Sequence, residues 1–182
     1  MNVARLVKKA KKGSKEAILQ LIMAEKDAYY RLAFTYMGNS HDAMDAMEDM
    51  IVKVYENMEQ LQKEEAFYSW SKTILVNSCK SLLRKKQKLV FIEDWTATNE
   101  VELASAITTS DPYVTSEQKI DMQELLLCLN DQQKEAIQLK YFHDLDYQTI
   151  ADVTNVSIGT VKSRVFQGLK KLREHYGGDV DE

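Results

Sequence analysis

The chain has 182 residues and a formal net charge of −4, with 45% hydrophobic and 29% charged residues. This length fits one domain or two small ones, and the single proline and six glycines favour an all-helical fold. An acidic total argues against a protein that coats nucleic acid indiscriminately, although it leaves room for local basic surfaces. No apolar run approaches the roughly 20 residues of a membrane span. The cysteines, Cys79 and Cys128, are expected to be free thiols of a cytoplasmic protein.

The N-terminal third is predicted to form two helices. Helical spacing of apolar residues predicts a first helix over residues 3–37. Gly38 can close it, and Ser40 can cap a second helix that runs from Asp42 to about Met58. One stripe of this second helix is apolar and consists of Met47, Ile51, Val54 and Met58. Its other side carries carboxylates spaced 3 and 4 residues apart, which aligns them on one face: Asp42, Asp45 and Asp49.

A third helical pattern covers "FYSWSKTILVNSCKSLLRKKQK", residues 67–88. Phe67, Trp70, Ile74 and Ser78 follow one another at helical spacing and would share one face of this helix. Its far end is basic, with no acid between Lys80, Arg84, Lys85, Lys86 and Lys88. Residues 89–115 then contain five acids, the only proline and neither lysine nor arginine. This change of composition predicts a domain boundary and an acidic linker.

Helical spacing returns after the linker at four apolar residues, Met122, Leu125, Leu126 and Leu129. Asn130 and Gln133 are then spaced as a capping box for a helix that runs to about Phe142. Asp146 is a natural N-cap for the next short helix, and Asn155 tolerates the left-handed conformation that a following turn often needs. A short helix and turn before a longer basic helix are typical of a helix-turn-helix.

The final helix, predicted from about Gly159 to His175, has an apolar stripe and a basic polar side. The stripe consists of Val161, Val165, Leu169 and Leu172. The opposite side carries residue types that read bases in a major groove: Lys162, Ser163, Phe166, Gln167 and Lys170. Gly159 leaves the helix N-terminus bare, so its amides could approach a phosphate. The alternative is a solvated basic helix whose Phe166 packs on a neighbouring domain.

The C-terminal run "LNDQQKEAIQLKYFHDLDYQTIADVTNVSIGTVKSRVFQGLKKLRE" resembles region 4 of bacterial sigma factors of the ECF (extracytoplasmic function) class. Two earlier runs, "YRLAFTYMGNSHDAMDAMEDMIVKVYENM" and "AFYSWSKTILVNSCKSLLRKK", are similar to region 2 of that family. Two matched regions in the right order are more specific than either alone. The resemblance implies an all-α chain of two small helical domains, region 2 at residues 1–88 and region 4 at residues 116–182, joined by the acidic linker at residues 89–115.

The resemblance implies a factor that binds core RNA polymerase and directs it to promoters. Region 2 would dock on the polymerase through an acidic face formed by Asp42, Asp45, Glu48 and Asp49. It would also capture the single-stranded −10 element, with Asn77 as the candidate for base contact and Phe67 and Trp70 as core or pocket wall. Residues matched to this role, in or beside the element or on its phosphates, are Phe67, Tyr68, Trp70, Asn77, Lys80, Arg84, Lys85 and Lys86.

Region 4 would read the −35 element as a duplex. The residues implied in this readout are Lys162, Ser163, Phe166 and Gln167, with Arg164 on a phosphate and Gly159 and Thr160 at the helix start. Gln167 stands where the family commonly has a basic residue, which favours adenine over guanine at that position. Ser71 departs from the family too, because an apolar residue is usual there.

Partners other than DNA and polymerase follow from the class alone. An anti-sigma factor, often membrane-bound in the family, is expected to hold the chain inactive. The linker has two open interpretations, a path shaped for an anionic RNA chain and a simple flexible tether. The competing functions are a stand-alone helix-turn-helix regulator and a helical adaptor without DNA contact. An enzyme is not expected, since no metal or catalytic spacing accompanies His41, His143 or His175, and no cofactor is implied.

Overall fold

A computed structural model describes residues 2–94 and 126–176, with side chains as far as residue 87 in the first range. Both ranges are helical, without a strand, which confirms the all-α prediction. The chain divides into two compact units, Met1–Ser110 and Asp111–Glu182. The first contains helices α1 to α5, at Val3–Lys11, Lys15–Ala24, Lys26–Met37, Ser40–Asn57 and Phe67–Asp94. The second contains helices α6 to α8, at Asp131–Ile137, Tyr147–Thr154 and Ile158–Tyr176.

The segment predicted as one helix over residues 3–37 is three helices, α1, α2 and α3. The first break falls at Gly13, whose φ of +91° is left-handed and stops α1, because such a backbone cannot continue a right-handed helix. Ser14 then caps α2, its hydroxyl accepting a hydrogen bond from the Ala17 amide at 3.2 Å. The second break, at Glu25, has no side-chain cap. Apolar spacing alone did not mark either break.

Helix α4 begins at Ser40, two residues before the predicted Asp42, and its cap lies one residue before the predicted one. Gly38 closes α3 with a φ of +78°, as predicted, but the cap of α4 is Asn39, whose side chain accepts from the Asp42 amide at 2.9 Å. Ser40 is instead the first residue of α4, and its hydroxyl lies 2.7 Å from that of Tyr30. The predicted apolar stripe is partly wrong, since Ile51 is exposed. The apolar side chains that α4 buries are Ala43, Ala46, Met50 and Val54.

Helices α3, α4 and α5 pack on one another and form the core of the first unit. Ser71 of α5, the polar departure from an apolar position, is fully buried there. Its hydroxyl donates to the Phe67 carbonyl at 2.8 Å and lies 2.7 Å from the hydroxyl of Tyr29, also fully buried. The pair satisfies both hydroxyls, which removes the main cost of burying polar groups.

The backbone of α5 continues to Asp94, into residues 89–115 that composition assigns to the linker. Residues 95–115 of that linker, together with Met122 and Leu125, lie outside the described residues. In the described part of the chain, no helix is long and apolar enough to cross a membrane.

The second unit contains the predicted helix-turn-helix. Asn130 and Gln133 form the expected capping box at the start of α6, and a π-helical turn, Gln138–Phe142, follows it. Asp146 caps α7 as predicted by accepting from the Thr149 amide at 2.8 Å. Asn155 closes α7 in the left-handed conformation, with a φ of +55°. These local signals were readable because each one satisfies a backbone group within four residues.

Helix α8 packs on α6 through a glycine that the apolar stripe did not include. Val161 and Val165 are buried as predicted, but Leu169 is 37% exposed. Gly168 takes its place in the contact, because a Cβ there would lie only 2.6 Å from Cδ1 of Ile137. The absence of a side chain at Gly168 therefore lets α8 pack closely against Ile137 of α6.

Candidate nucleic-acid and polymerase-binding surfaces

The N-terminus of α8 is capped by its own chain. The Ser157 hydroxyl accepts a hydrogen bond from the Thr160 amide at 3.1 Å and lies 2.9 Å from the Thr160 hydroxyl. Gly159 and Thr160 are exposed. The expectation of a bare helix start beside Gly159 is therefore wrong for the Thr160 amide, which already has a partner.

The outward side of α8 carries the residues predicted to read DNA. Lys162, Ser163, Phe166 and Gln167 are all exposed, and 71% of Phe166 is accessible to solvent. The side-chain amide of Gln167 donates to the Ser163 hydroxyl at 3.4 Å. The Lys162 ammonium lies over the Tyr147 ring, 5.7 Å from its centroid. Arg164 is half-buried. The face is thus polar and accessible, with one large apolar side chain at its middle.

The predicted −10 residues on α5 separate into buried and accessible members. Phe67 is fully buried, so it cannot touch a nucleotide, and only the "core" half of its expected role remains. Tyr68 is half-buried, its hydroxyl donates to the Leu21 carbonyl at 3.4 Å, and burial raises its pKa. Trp70 is half-buried, 6.2 Å from the Phe67 ring. Asn77 is exposed.

Basic side chains continue along α5 beyond these residues. The Lys80 ammonium lies 5.8 Å from the centroid of the Tyr36 ring, while Arg84 and Lys85 are exposed. Lys86 is instead ion-paired with Asp42 of α4. Arg84 and Lys85 are therefore accessible to phosphates, whereas Lys86 already has a carboxylate partner.

The acidic face of α4 is less uniform than its spacing indicates. Asp42 is only 8% exposed, and the ion pair with Lys86 and a hydrogen bond from the side-chain amide of Asn39 lower its pKa. Little of Asp42 is therefore accessible to a partner, and its ion-pair partner Lys86 lies 44 residues further along the chain. Asp45 and Glu48 are exposed.

Asp49 is a second partly committed carboxylate on α4. It is ion-paired with Lys53 at 2.5 Å, one turn further along the helix. Burial alone would raise its pKa, but hydrogen bonds from Lys53 and Ser78 lower it. The Lys53 ammonium also donates to the Ser78 hydroxyl at 3.0 Å, so this cluster joins α4 to α5.

Two features of the first unit were not singled out from the sequence. Helix α4 exposes a set of large apolar side chains beside its acids: Met44, Ile51, Val52 and Tyr55. Periodicity placed Ile51 in the predicted core stripe and gave no signal for the other three. The second feature is a set of exposed cations on α1 and on the residue that follows it: Arg5, Lys8, Lys9 and Lys12.

Comparison with known proteins covers both units. The model "Sigma-70 region 2" matches residues 21–89, and the model "Sigma-70, region 4" matches residues 119–172. The chain is 33% identical to RNA polymerase sigma factor SigV of Bacillus subtilis over 165 residues, which are 91% of this chain and 94% of that protein. It is 27% identical to ECF RNA polymerase sigma factor SigW of the same organism, over 96% of both chains.

Two solved structures resemble the fold. One is CnrH in complex with the cytosolic domain of CnrY, with a TM-score of 0.66, 17% identity, and coverage of 97% of this chain and 98% of that one. The other is the sigma factor RpoE in complex with the anti-sigma factor NepR from Bartonella quintana. It has a TM-score of 0.62, 24% identity, and coverage of 90% and 97%.

Proposed function

The chain belongs to the ECF sigma factors of bacterial RNA polymerase, and we propose from this how its surfaces divide the work of promoter selection. As an alternative sigma factor it binds core polymerase and directs it to specific promoters. The work takes place in the cytoplasm, where bacterial polymerase and its template are. The observation that carries the division is the outward face of α8, which is accessible and set on an intact helix-turn-helix.

Helix α8 enters the major groove of the −35 element. Its buried valines hold it on the unit, so the opposite side faces the bases. Lys162 can donate to guanine acceptors, Ser163 and Gln167 can hydrogen-bond base edges, and Phe166 can cover a thymine methyl. Arg164, half-buried at the edge of the face, is suited to a phosphate. The side chains of Gln167 and Ser163 lie 3.4 Å apart on this face, so both can reach the same part of the groove.

The −10 element is captured as a single strand along α5. Trp70 supplies a partly exposed ring against which a flipped base can stack, and Phe67 supports that ring from the core. Asn77, exposed two turns further on, can hydrogen-bond a base edge. Unstacking a base costs a few kcal/mol, and stacking on an aromatic ring returns about 1–3 kcal/mol per base. Lys80, Arg84 and Lys85 hold the adjacent phosphates.

Polymerase docks on α4. The exposed acids Asp45 and Glu48 lie on the same helix as four exposed apolar side chains, a combination in which charge orients the partner and apolar area supplies affinity. Asp42 and Asp49 act behind this surface, since their ion pairs fix α4 against α5 and stiffen α4 itself. They are positioning residues for the docking surface.

An anti-sigma factor is the proposed regulator. Two proteins that share this fold were solved with a partner of that kind or with the cytosolic domain of another protein. A partner that covers the outward face of α8 or the surface of α4 would block promoter or polymerase binding. Co-purification of the native protein with a stoichiometric second chain under non-inducing conditions would support this regulation.

The test of the proposed function is transcription in vitro from a library of promoters, with core polymerase and the full chain. We expect initiation only when both are present, at promoters that share one −35 and one −10 sequence. Initiation that is unchanged when the chain is omitted would refute the proposal. So would promoters that the chain represses without supporting any initiation, which is the result expected of a stand-alone regulator.

A further inference from the structure

Helix α1, Val3–Lys11, lies before residue 21, where the match to region 2 begins. Three cations of α1 and the lysine that follows the helix lie on one side at helical spacing and are exposed: Arg5, Lys8, Lys9 and Lys12. Together they border a surface groove of about 430 Å³. No ion pair joins any of the four to a carboxylate in the part of the chain that the structure describes. Like charges held together without counter-charges favour an anionic ligand.

The opposite side of α1 is fixed to the first unit. Val7 is fully buried and Ala10 is 3% exposed. Lys11 is ion-paired with Glu64 at 3.9 Å, and Glu64 begins the short helical turn, Glu64–Ala66, that leads directly into α5. The N-terminus of α1 is capped, since the Asn2 side chain accepts from the Arg5 amide at 3.0 Å. The cations therefore project from a docked helix beside the start of α5.

We propose that this basic side of α1 holds the sugar-phosphate backbone of promoter DNA next to the strand captured by α5. From Arg5 to Lys12 the helix rises about 10 Å, at roughly 1.5 Å per residue. DNA carries one charge per roughly 3.4 Å of each strand, so the cations can face two or three successive phosphates. The exposed side of α1 has no aromatic residue on which a base could stack, and the Asn2 side chain that borders the groove caps the helix through its carbonyl oxygen. We therefore expect the contact to be mainly with phosphates and to depend little on base sequence.

An anionic membrane is the less favoured ligand. A helix that lies on a bilayer needs an exposed apolar face to insert below the headgroups. In α1 the larger apolar side chains are covered at least in part, with Val7 buried and Val3 and Leu6 half-buried, and Ala4 contributes only one methyl group to the basic side. The basic side of α1 can therefore attract a ligand by charge but cannot insert into a bilayer, which favours DNA over a membrane as its ligand.

The proposal rests on the proposed function, because the DNA reaches α1 only in a promoter complex. Its quantitative signature is the salt dependence of promoter binding. Each phosphate contact contributes about 0.7 (single strand) to 0.9 (duplex) to the slope of log affinity against log salt. Loss of two contacts should lower the slope by about 1.4–1.8. Over a fourfold rise in salt, the wild type should then lose about 7- to 12-fold more affinity than the variant.

The experiment compares holoenzymes made with core polymerase and the full chain, on a promoter that the wild type transcribes. The test variant is Lys8→Glu/Lys12→Glu, and the control is Lys26→Glu/Arg31→Glu, which makes the same charge change at two exposed positions of α3. A Lys8→Gln/Lys12→Gln variant separates loss of the contacts from repulsion. Open-complex affinity is measured at four salt concentrations, affinity for core polymerase by titration, and helicity by circular dichroism.

We expect both test variants to keep their helicity and their affinity for core polymerase, and to show the lower salt slope, while the control keeps the wild-type slope. Equal slopes in the test and control variants would overturn the inference. Weakened binding to core polymerase would also overturn it, because α1 would then face a protein. The inference would also fail if the wild type bound vesicles of phosphatidylcholine and phosphatidylserine (3:1), and the variants lost this binding but kept the wild-type salt slope at the promoter. A wild-type holoenzyme that initiates nowhere refutes the proposed function itself.

Discussion

Phe166 and Val165 are neighbours on α8 with opposite surroundings, and replacing each by alanine separates recognition from folding. The exposed fraction is 71% for Phe166 and 2% for Val165. Val165→Ala removes buried methyl groups and leaves a small cavity, which costs about 2 kcal/mol of unfolding free energy. We therefore expect Val165→Ala to weaken the second unit and Phe166→Ala to weaken promoter selection.

The magnitude for Phe166 follows from its exposure. Phenylalanine can bury about 200 Å², so the covered part, about 29%, is about 60 Å², which is about 1.5 kcal/mol at 25 cal/mol/Å². The better helix propensity of alanine returns about 0.5 kcal/mol, so Phe166→Ala should cost at most about 1 kcal/mol in stability. If DNA covers half of the remaining area, the loss of binding is about 1.7 kcal/mol, or more than tenfold.

The assay pairs urea denaturation of each full-length variant with transcription by core polymerase from promoters with intact and scrambled −35 elements. Phe166→Ala should reduce initiation only where the −35 element is intact. Lys162→Ala, at another exposed position of the same face, should show the same pattern. A Phe166→Ala protein that is destabilised as much as Val165→Ala would refute the assignment of Phe166 to the DNA face. Unchanged initiation at intact promoters would refute it too.

Three further predictions concern the first unit. Ser71→Ala strands the buried Tyr29 hydroxyl and should cost about 2 kcal/mol of unfolding free energy, whereas Tyr29→Phe/Ser71→Ala should cost less than the two single changes together; strict additivity in urea denaturation would contradict the pairing. Burial raises the pKa of Cys79 to about 12, above its unfolded value near 9, so stability should be full below pH 9 and fall above it. Between pH 9 and 10 this loss is about 1 kcal/mol, and Cys79→Ala should lose less by that amount, since only the tyrosines with raised pKa values, Tyr29 and Tyr68, then contribute. Asp45→Arg should weaken binding to core polymerase several-fold without altering helicity, and Asp27→Arg, an exposed change on α3, should not.

The parts of the fold that were predictable are those whose cause is local. The left-handed residues Gly38 and Asn155, the capping box at Asn130 and the cap at Asp146 each depend on residues within four positions. A backbone donor at a helix end needs a nearby acceptor, so its partner can be read from the sequence. Where two acceptors compete, as Asn39 and Ser40 do before α4, the sequence does not decide between them.

The parts that were not predictable depend on contacts between distant segments. Asp42 looks like its neighbours on the acidic face, but Lys86 pairs with it from a different helix. Ser71 looks like a defect in an apolar line until Tyr29 supplies its partner. Gly168 appears as an ordinary helix glycine, although the close approach of Ile137 requires it. In each case the surroundings of the residue depend on a side chain that is distant in the sequence, so local spacing carries no information about them.

The sequence predicted which helices carry the candidate site better than it predicted which residues on those helices are exposed. The outward side of α8 carries the residues that the sequence assigned to it, since buried valines fix its rotation. On α5, Phe67 falls in the core, which is one of the two roles that the sequence left open for it. A shift of one residue turns a helix by about 100°, so a pattern of mixed aromatic and polar residues does not fix which of them face the solvent.

We infer that the chain selects promoters only as part of a polymerase complex. The decisive measurement is footprinting on one cognate promoter, with the chain alone, core polymerase alone and both together. We expect protection of the −35 and −10 elements, with unpaired bases at −10, only when both proteins are present. Tight and specific protection of the promoter by the chain alone would contradict this inference.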